Sequence, residues 1–156
     1  MKISKHFFLI TLLCILFSCS NDDDDNMPMG DPNNASGSVA AKVDGVSWSS
    51  DFIDQALWAA SQLQIKAEKN DGSLIQISIL GIDSTGTYLV GGGNINIGAY
   101  NDANGVALST NILSPEGTVN VATLNSSGAM GTFEFTVTDG AGIEVELSQG
   151  TFDISF

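Results

Sequence analysis

Eighteen carboxylates against five lysines give this 156-residue chain a net charge of −13. The chemistry open to it is mostly the chemistry of acids. There is no arginine, the single histidine is His6, and the two cysteines are Cys14 and Cys19. Beyond residue 19 the chain therefore has no imidazole base, no Ser-His-Asp triad, no thiol nucleophile and no disulfide. Zinc, copper and haem lose their usual ligands. Lys42, Lys66 and Lys69 are the only cations in that part. They are too few to hold a phosphate backbone, so nucleic acid is not an expected partner. Two kinds of chemistry remain. A pair of carboxylates could work as acid and base on a glycosidic bond, or oxygen ligands could surround a hard cation such as calcium.

Few motifs offer more. Gly91-Gly92-Gly93 is no phosphate loop, because no Lys-Ser/Thr follows it; it reads as a hairpin connection or bulge. Asn101-Asp102-Ala103-Asn104-Gly105 lacks the alternating acids and distant Glu of a calcium loop, and its asparagines read as turn formers. Trp48, Trp58, Tyr88 and Tyr100 could build a sugar-stacking platform, although aromatics in small β domains more often fill the core.

The elements that must position these residues are strands. From Ser38 onward the chain is cut into short alternating segments by glycine and asparagine. Asp44-Gly45 and Asn70-Asp71-Gly72 sit between alternating runs, which is a strong hairpin signal. The pattern predicts an all-β domain over residues 38–156, an antiparallel sandwich or barrel of about ten short, meander-like strands. Residues 51–61 carry apolar side chains at helical spacing and no glycine; helix and strand both fit, and strand is preferred for residues 56–60.

Alternation also fixes a register near the end of the chain. Phe133, Phe135, Val137, Ile143, Val145, Leu147, Phe152, Ile154 and Phe156 are expected to point into one core. Across residues 139–142, setting Val137 against Ile143 would oppose Glu134 to Glu146, which like charges disfavour. Setting Val137 against Val145 and Phe135 against Leu147 avoids this and places Thr136 against Glu146. A final hairpin, with Leu147 against Phe152, would bring Glu146 beside Asp153. That pair is the candidate calcium site; no other cofactor and no catalytic residue is expected.

The first residues have a different texture. Lys2 and Lys5 precede an apolar run over residues 7–17, too short to span a bilayer, which takes about 20 residues. Leu16-Phe17-Ser18-Cys19 resembles the lipobox of bacterial lipoproteins. The resemblance implies that residues 1–18 are a removed signal peptide and that Cys19 is lipidated, with a palmitate-type acyl anchor. Phe17 departs from the smaller residue usual at that place. Each buried CH₂ contributes about 0.8 kcal/mol, so two or more acyl chains anchor stably without a membrane-spanning helix. Ser20, Asn21, Asp22, Asp23, Asp24 and Asp25 are similar to the acidic export signal of Bacteroidota-type surface lipoproteins. Physically, the same run is a self-repelling tether, continued by the Pro- and Gly-containing linker to residue 37.

Ala40-Ala41-Lys42-Val43-Asp44-Gly45-Val46-Ser47-Trp48 resembles the opening of small Bacteroidota-type lipoproteins of unknown function. Gly131-Thr132-Phe133-Glu134-Phe135 and Gly150-Thr151-Phe152-Asp153-Ile154-Ser155-Phe156 resemble their ending. The resemblance implies an outer-membrane lipoprotein facing the cell exterior, with an all-β domain and no assigned catalytic residue. The expected function is a non-catalytic binding or envelope-assembly module with a glycan or envelope-protein partner. The alternative is a small carboxylate-dependent hydrolase acting on glycans.

Overall fold

A computed structural model of the chain describes residues 35–156. The expected signal peptide, Cys19 and the acidic tract at residues 20–25 lie outside the described residues.

Eleven strands and no helix make up the described domain: β1 (Ser36–Val43), β2 (Val46–Ser49), β3 (Phe52–Ala59), β4 (Gln62–Glu68), β5 (Leu74–Leu80), β6 (Gly86–Val90), β7 (Ile97–Asn101), β8 (Ala107–Ser109), β9 (Gly117–Asn125), β10 (Gly128–Thr138) and β11 (Glu144–Ser155). All strand pairs are antiparallel, as expected. They form one open sheet in the order β2-β1-β11-β10-β8-β7-β5-β4-β3. The path forks at β10. Residues 128–134 of that strand pair with β9, which carries β6, while Thr138 pairs with Ser109 of β8.

The two ends of the sheet do not pair, but the chain itself joins them. Ser50 N donates to Val39 O of β1 at 2.9 Å, and Asp51 N donates to Glu68 O of β4 at 2.8 Å. Asn96 makes a second stitch. Its side-chain oxygen accepts from Leu80 N at 2.9 Å and its amide nitrogen donates to Leu89 O at 2.9 Å. One side-chain amide thus takes the place of a peptide group between the ends of β5 and β6.

Both arms of the sheet turn one face into a single core. β4 and β5 supply Leu63, Ile65, Ile75, Ile77 and Ile79; β9 to β11 supply Val119, Val121, Phe133, Phe135, Leu147 and Phe152. Glycines make room for the aromatic rings. Gly131-Thr132-Phe133 lies antiparallel to Gly150-Thr151-Phe152, so Gly131 faces Phe152, Thr132 faces Thr151 and Phe133 faces Gly150. Each ring covers the glycine opposite, where a Cβ would fall within 2.6 Å of ring atoms. A β-strand aromatic commonly shields a cross-strand glycine in this way.

The hairpin through residues 139–143 has the expected register, with Val137 opposite Val145, Thr136 opposite Glu146 and Phe135 opposite Leu147. The choice left open at residues 51–61 resolves to strand, as preferred: they are β3 and a two-residue turn in which Ala60 and Ser61 both have positive φ, 49° and 58°. Such turns usually carry Asn-Gly. Here Ile82 N donates to Ser61 O at 2.9 Å and the Ser61 hydroxyl bonds the Asp83 carboxylate, so tertiary contacts hold a turn that local sequence does not announce. Two expectations need correction. Ile143 is 50% exposed, because it closes a loop instead of entering β11. The second correction concerns β11. Residues 144–155 form one strand, with no final hairpin. Leu147 and Phe152 are both buried although five positions apart. An uninterrupted strand would put them on opposite faces. A bulge at Ser148 and Gln149, the latter at φ 51°, inserts the residue that restores the phase.

Candidate functional site

The continuity of β11 separates the one candidate carboxylate pair. Glu146 and Asp153 are seven positions apart along one extended strand, roughly 20 Å. Glu146 lies opposite Thr136, and its N–H donates to Asp44 Oδ1 at 2.8 Å. Asp153 lies between Ser38 and Met130. Among the described residues no three His, Cys, Asp or Glu side chains converge as metal ligands.

The carboxylates whose acidity is shifted serve turns. Asp139 Oδ1 accepts from the N–H groups of Ala141, Gly142 and Ile143 at 2.8, 3.1 and 3.0 Å. These bonds, Ala141's first, hold its pKa below the ordinary 3.8. Asp102 Oδ1 accepts from Val106 N and Asn104 N at 2.8 and 2.9 Å, and its pKa is lowered, Val106's bond leading. The expected reading of Asn101 to Gly105 as a turn is correct. Asp71 is held down by Ser73, whose hydroxyl donates to it at 2.6 Å. A general acid needs the opposite shift. An NMR titration of Asp139 is expected to give a midpoint below 3.8. With the folded pKa depressed, the stabilisation by this cap is present above the unfolded pKa and lost as pH falls through the folded one. A midpoint at or above the ordinary value would remove the capping account.

The aromatics also use their polar ends structurally. Trp48 is buried, with Nε1 donating to Ser73 Oγ at 2.9 Å. Trp58 Nε1 donates to Ile82 O at 3.2 Å, and the Tyr88 hydroxyl donates to Ser84 O at 2.6 Å. Burial comes first in raising the pKa of Tyr100. Trp48, Trp58, Tyr88 and Tyr100 are buried or half-buried, and no exposed stacking row results.

What the fold does present is a polar face. One register row crosses six strands on the outside of the β6–β9–β10–β11–β1–β2 arm: Thr87, Asn120, Thr132, Thr151, Ala40 and Ser49. All but half-buried Ala40 are exposed, and none is charged. Two depressions lie on this face and share Gln149. One, of about 450 Å³, is lined by Lys42, Ser47, Ser49, Asp51, Lys69 and Gln149 among others. The other, of about 430 Å³, is lined by Thr118, Thr132, Glu134, Gln149 and Thr151 among others. The bulge sets Gln149 at their junction. Bulges commonly re-aim a side chain beside a functional site, and a non-glycine residue at positive φ is a strain that the fold must hold in place.

A family model described as a domain of unknown function, DUF6252, matches residues 35–153. The chain belongs to this family. No curated protein and no solved structure matches it. The DUF6252 match spans the whole of β1 to β10 and most of β11, so the polar face is built entirely from family sequence. The sequence shows Thr132 and Thr151 only within the two segments that resemble the ending of small lipoproteins. Reading the residues alone missed the row, because Thr87 and Asn120 join it through the long-range pairing of β6 with β9. It missed Gln149 because a bulge and a turn share the local signal Ser-Gln-Gly.

Proposed function

We propose that this chain is a lipid-anchored outer-membrane lipoprotein facing the cell exterior, whose β domain is a non-catalytic module that binds a glycan on its polar face. The observation that carries the glycan reading is the uncharged hydroxyl and amide row, continuous with two depressions. Sugar hydroxyls are both donors and acceptors, and so are Thr, Ser, Asn and Gln side chains. An uncharged row on a protein of net charge −13 suits a ligand that is itself largely neutral. The turn-capping role of Asp71, Asp102 and Asp139 supports binding over hydrolysis.

The anchor is tested in cells. Cys19→Ala is expected to move the protein out of the membrane fraction, and external protease should digest the wild type on intact cells. Replacing Asp22, Asp23, Asp24 and Asp25 with Ser should protect it. A Cys19→Ala protein that stays membrane-bound while the wild type carries no acyl mass would defeat the anchor. Undiminished digestion of the Ser variant would reduce the acidic tract to a tether. Binding is tested on a glycan array with the full chain in detergent. Thr151→Lys should abolish retention without lowering the melting temperature, since exposed substitutions usually change stability by less than about 0.5 kcal/mol.

A specific observation favours an envelope-protein partner as the second reading. Ile95, Ile112 and Leu113 are 70%, 77% and 72% exposed. They lie on loops that pack together, with Gly92 N donating to Ser114 O at 3.1 Å. Loss of an envelope cross-link in Ile112→Ser with Leu113→Ser would favour that reading.

A further inference from the structure

We infer that the depression at Lys42 reads an acidic sugar, a carboxylate-bearing residue within an otherwise neutral glycan. The inference rests on the glycan reading above and adds the ligand's charge and its orientation.

The three lysines of the domain are spent differently. Lys66 has Asp54 at 2.7 Å and Glu68 at 2.6 Å. These two hydrogen-bonded acids, Asp54's bond first, hold its charge by raising its pKa. Lys69 lies 3.4 Å from Asp71. Lys42 has no carboxylate within ion-pair distance among the described residues. The described residues include 13 acids, 18 less the five at residues 22–25 and 31, so Lys42 stands apart there although partners are abundant. Register places Lys42 between Ser47 of β2 and Ser148 of β11, on the face opposite the core residues of β1, and half-buried in the depression. Lys69 lines the same depression from the β4–β5 turn. The one acid there, Asp51, is engaged: its Oδ2 accepts from Asn70 N at 2.8 Å.

The depression therefore holds Lys42 with no carboxylate partner among the described residues, Lys69 already paired with Asp71, and Asp51, whose bond from Asn70 leaves its charge in place. The depression across Gln149 holds Glu134 and no cation, and a third, of about 200 Å³, holds Asp153 and no cation. Lys42 is thus the ammonium left without a carboxylate partner on this face, and the depressions beyond Gln149 carry acids without a cation. Charge complementarity selects an anionic group for the Lys42 end. The negative remainder of the surface repels a polyanion, so uncharged sugars belong on the threonine row. An ammonium–carboxylate contact at a half-exposed site is largely screened by water, so discrimination on the order of tenfold, about 1.4 kcal/mol, is expected.

The test uses the full-length chain in detergent on matched pairs of neutral and uronate-bearing oligosaccharides. The uronate member of a bound pair is expected to bind about tenfold more tightly than its carboxyl-reduced form. Lys42→Gln should erase the difference at an unchanged melting temperature, and Lys42→Arg should keep it. Equal affinity within pairs, or a preference that survives Lys42→Gln, overturns the inference and leaves the glycan reading standing. Binding of neither member of any pair overturns both.

Discussion

Phe135→Ala is expected to destabilise the domain by about 3–5 kcal/mol, the usual loss for a buried phenylalanine. The ring is 4% exposed and stacks on Phe133 with centroids 5.4 Å apart. It also bridges the two arms of the sheet. A Cβ on Gly98 of β7 would fall 2.6 Å from the ring, and one on Gly117 of β9 would fall 2.6 Å from Phe135 Cβ. The ring's wall at Gly98 is therefore bare backbone, with no side chain on that side that could swing in to fill the hole. Domains of this size are stable by only about 5–15 kcal/mol, so the variant would keep a thin margin. Urea unfolding should show a lower midpoint at an unchanged slope. A loss below about 1 kcal/mol would mean that the two arms do not share a core at this point.

The second large effect is a coupling. Gly150→Ala would set a methyl group 2.5–2.6 Å from three ring atoms of Phe133. The ring is 3% exposed and cannot retreat, so overpacking should cost roughly 1–3 kcal/mol. Phe133→Ala alone should cost about 3–5 kcal/mol. In the double variant the new methyl enters the space the ring has left, so the combined loss should fall short of the sum by about 0.5–3 kcal/mol. Strict additivity in the four-member cycle would show that Phe133 does not cover Gly150. Gly131→Ala makes the contrast. Its methyl would meet the Asn120 carbonyl as well as the Phe152 ring, so trimming Phe152 should not rescue it.

The parts of this fold legible in the sequence are those where one local rule decides. Asp44-Gly45 has positive φ at both positions, 48° and 79°, as a two-residue hairpin requires. The register of β10 on β11 followed from putting apolar against apolar and keeping Glu134 from Glu146. The failures share a cause. At Ser148-Gln149-Gly150 a reversal and a bulge both solve the same parity problem between Leu147 and Phe152, and the neighbouring strands β1 and β10, each pairing along both halves of β11, select the bulge. At Ala60-Ser61 a tertiary hydrogen bond replaces a glycine. The candidate site was less legible than the fold, because it is a row across strands. Its members are far apart in sequence and become neighbours only when every register is known.

The two Gly-Thr-Phe triplets carry a further consequence. Because they are identical and run antiparallel, a local two-fold axis passes between Thr132 and Thr151. Such a segment is self-complementary: each triplet fits a copy of itself in another molecule as well as it fits its own partner. In the folded domain neither is available, since β10 lies between β9 and β11, and β11 lies between β10 and β1. An unfolded chain has no such protection, and exposed complementary strands pair between molecules. Refolding yield should therefore fall with protein concentration while the native protein stays dispersed. The association hazard in this sequence belongs to the interval before folding.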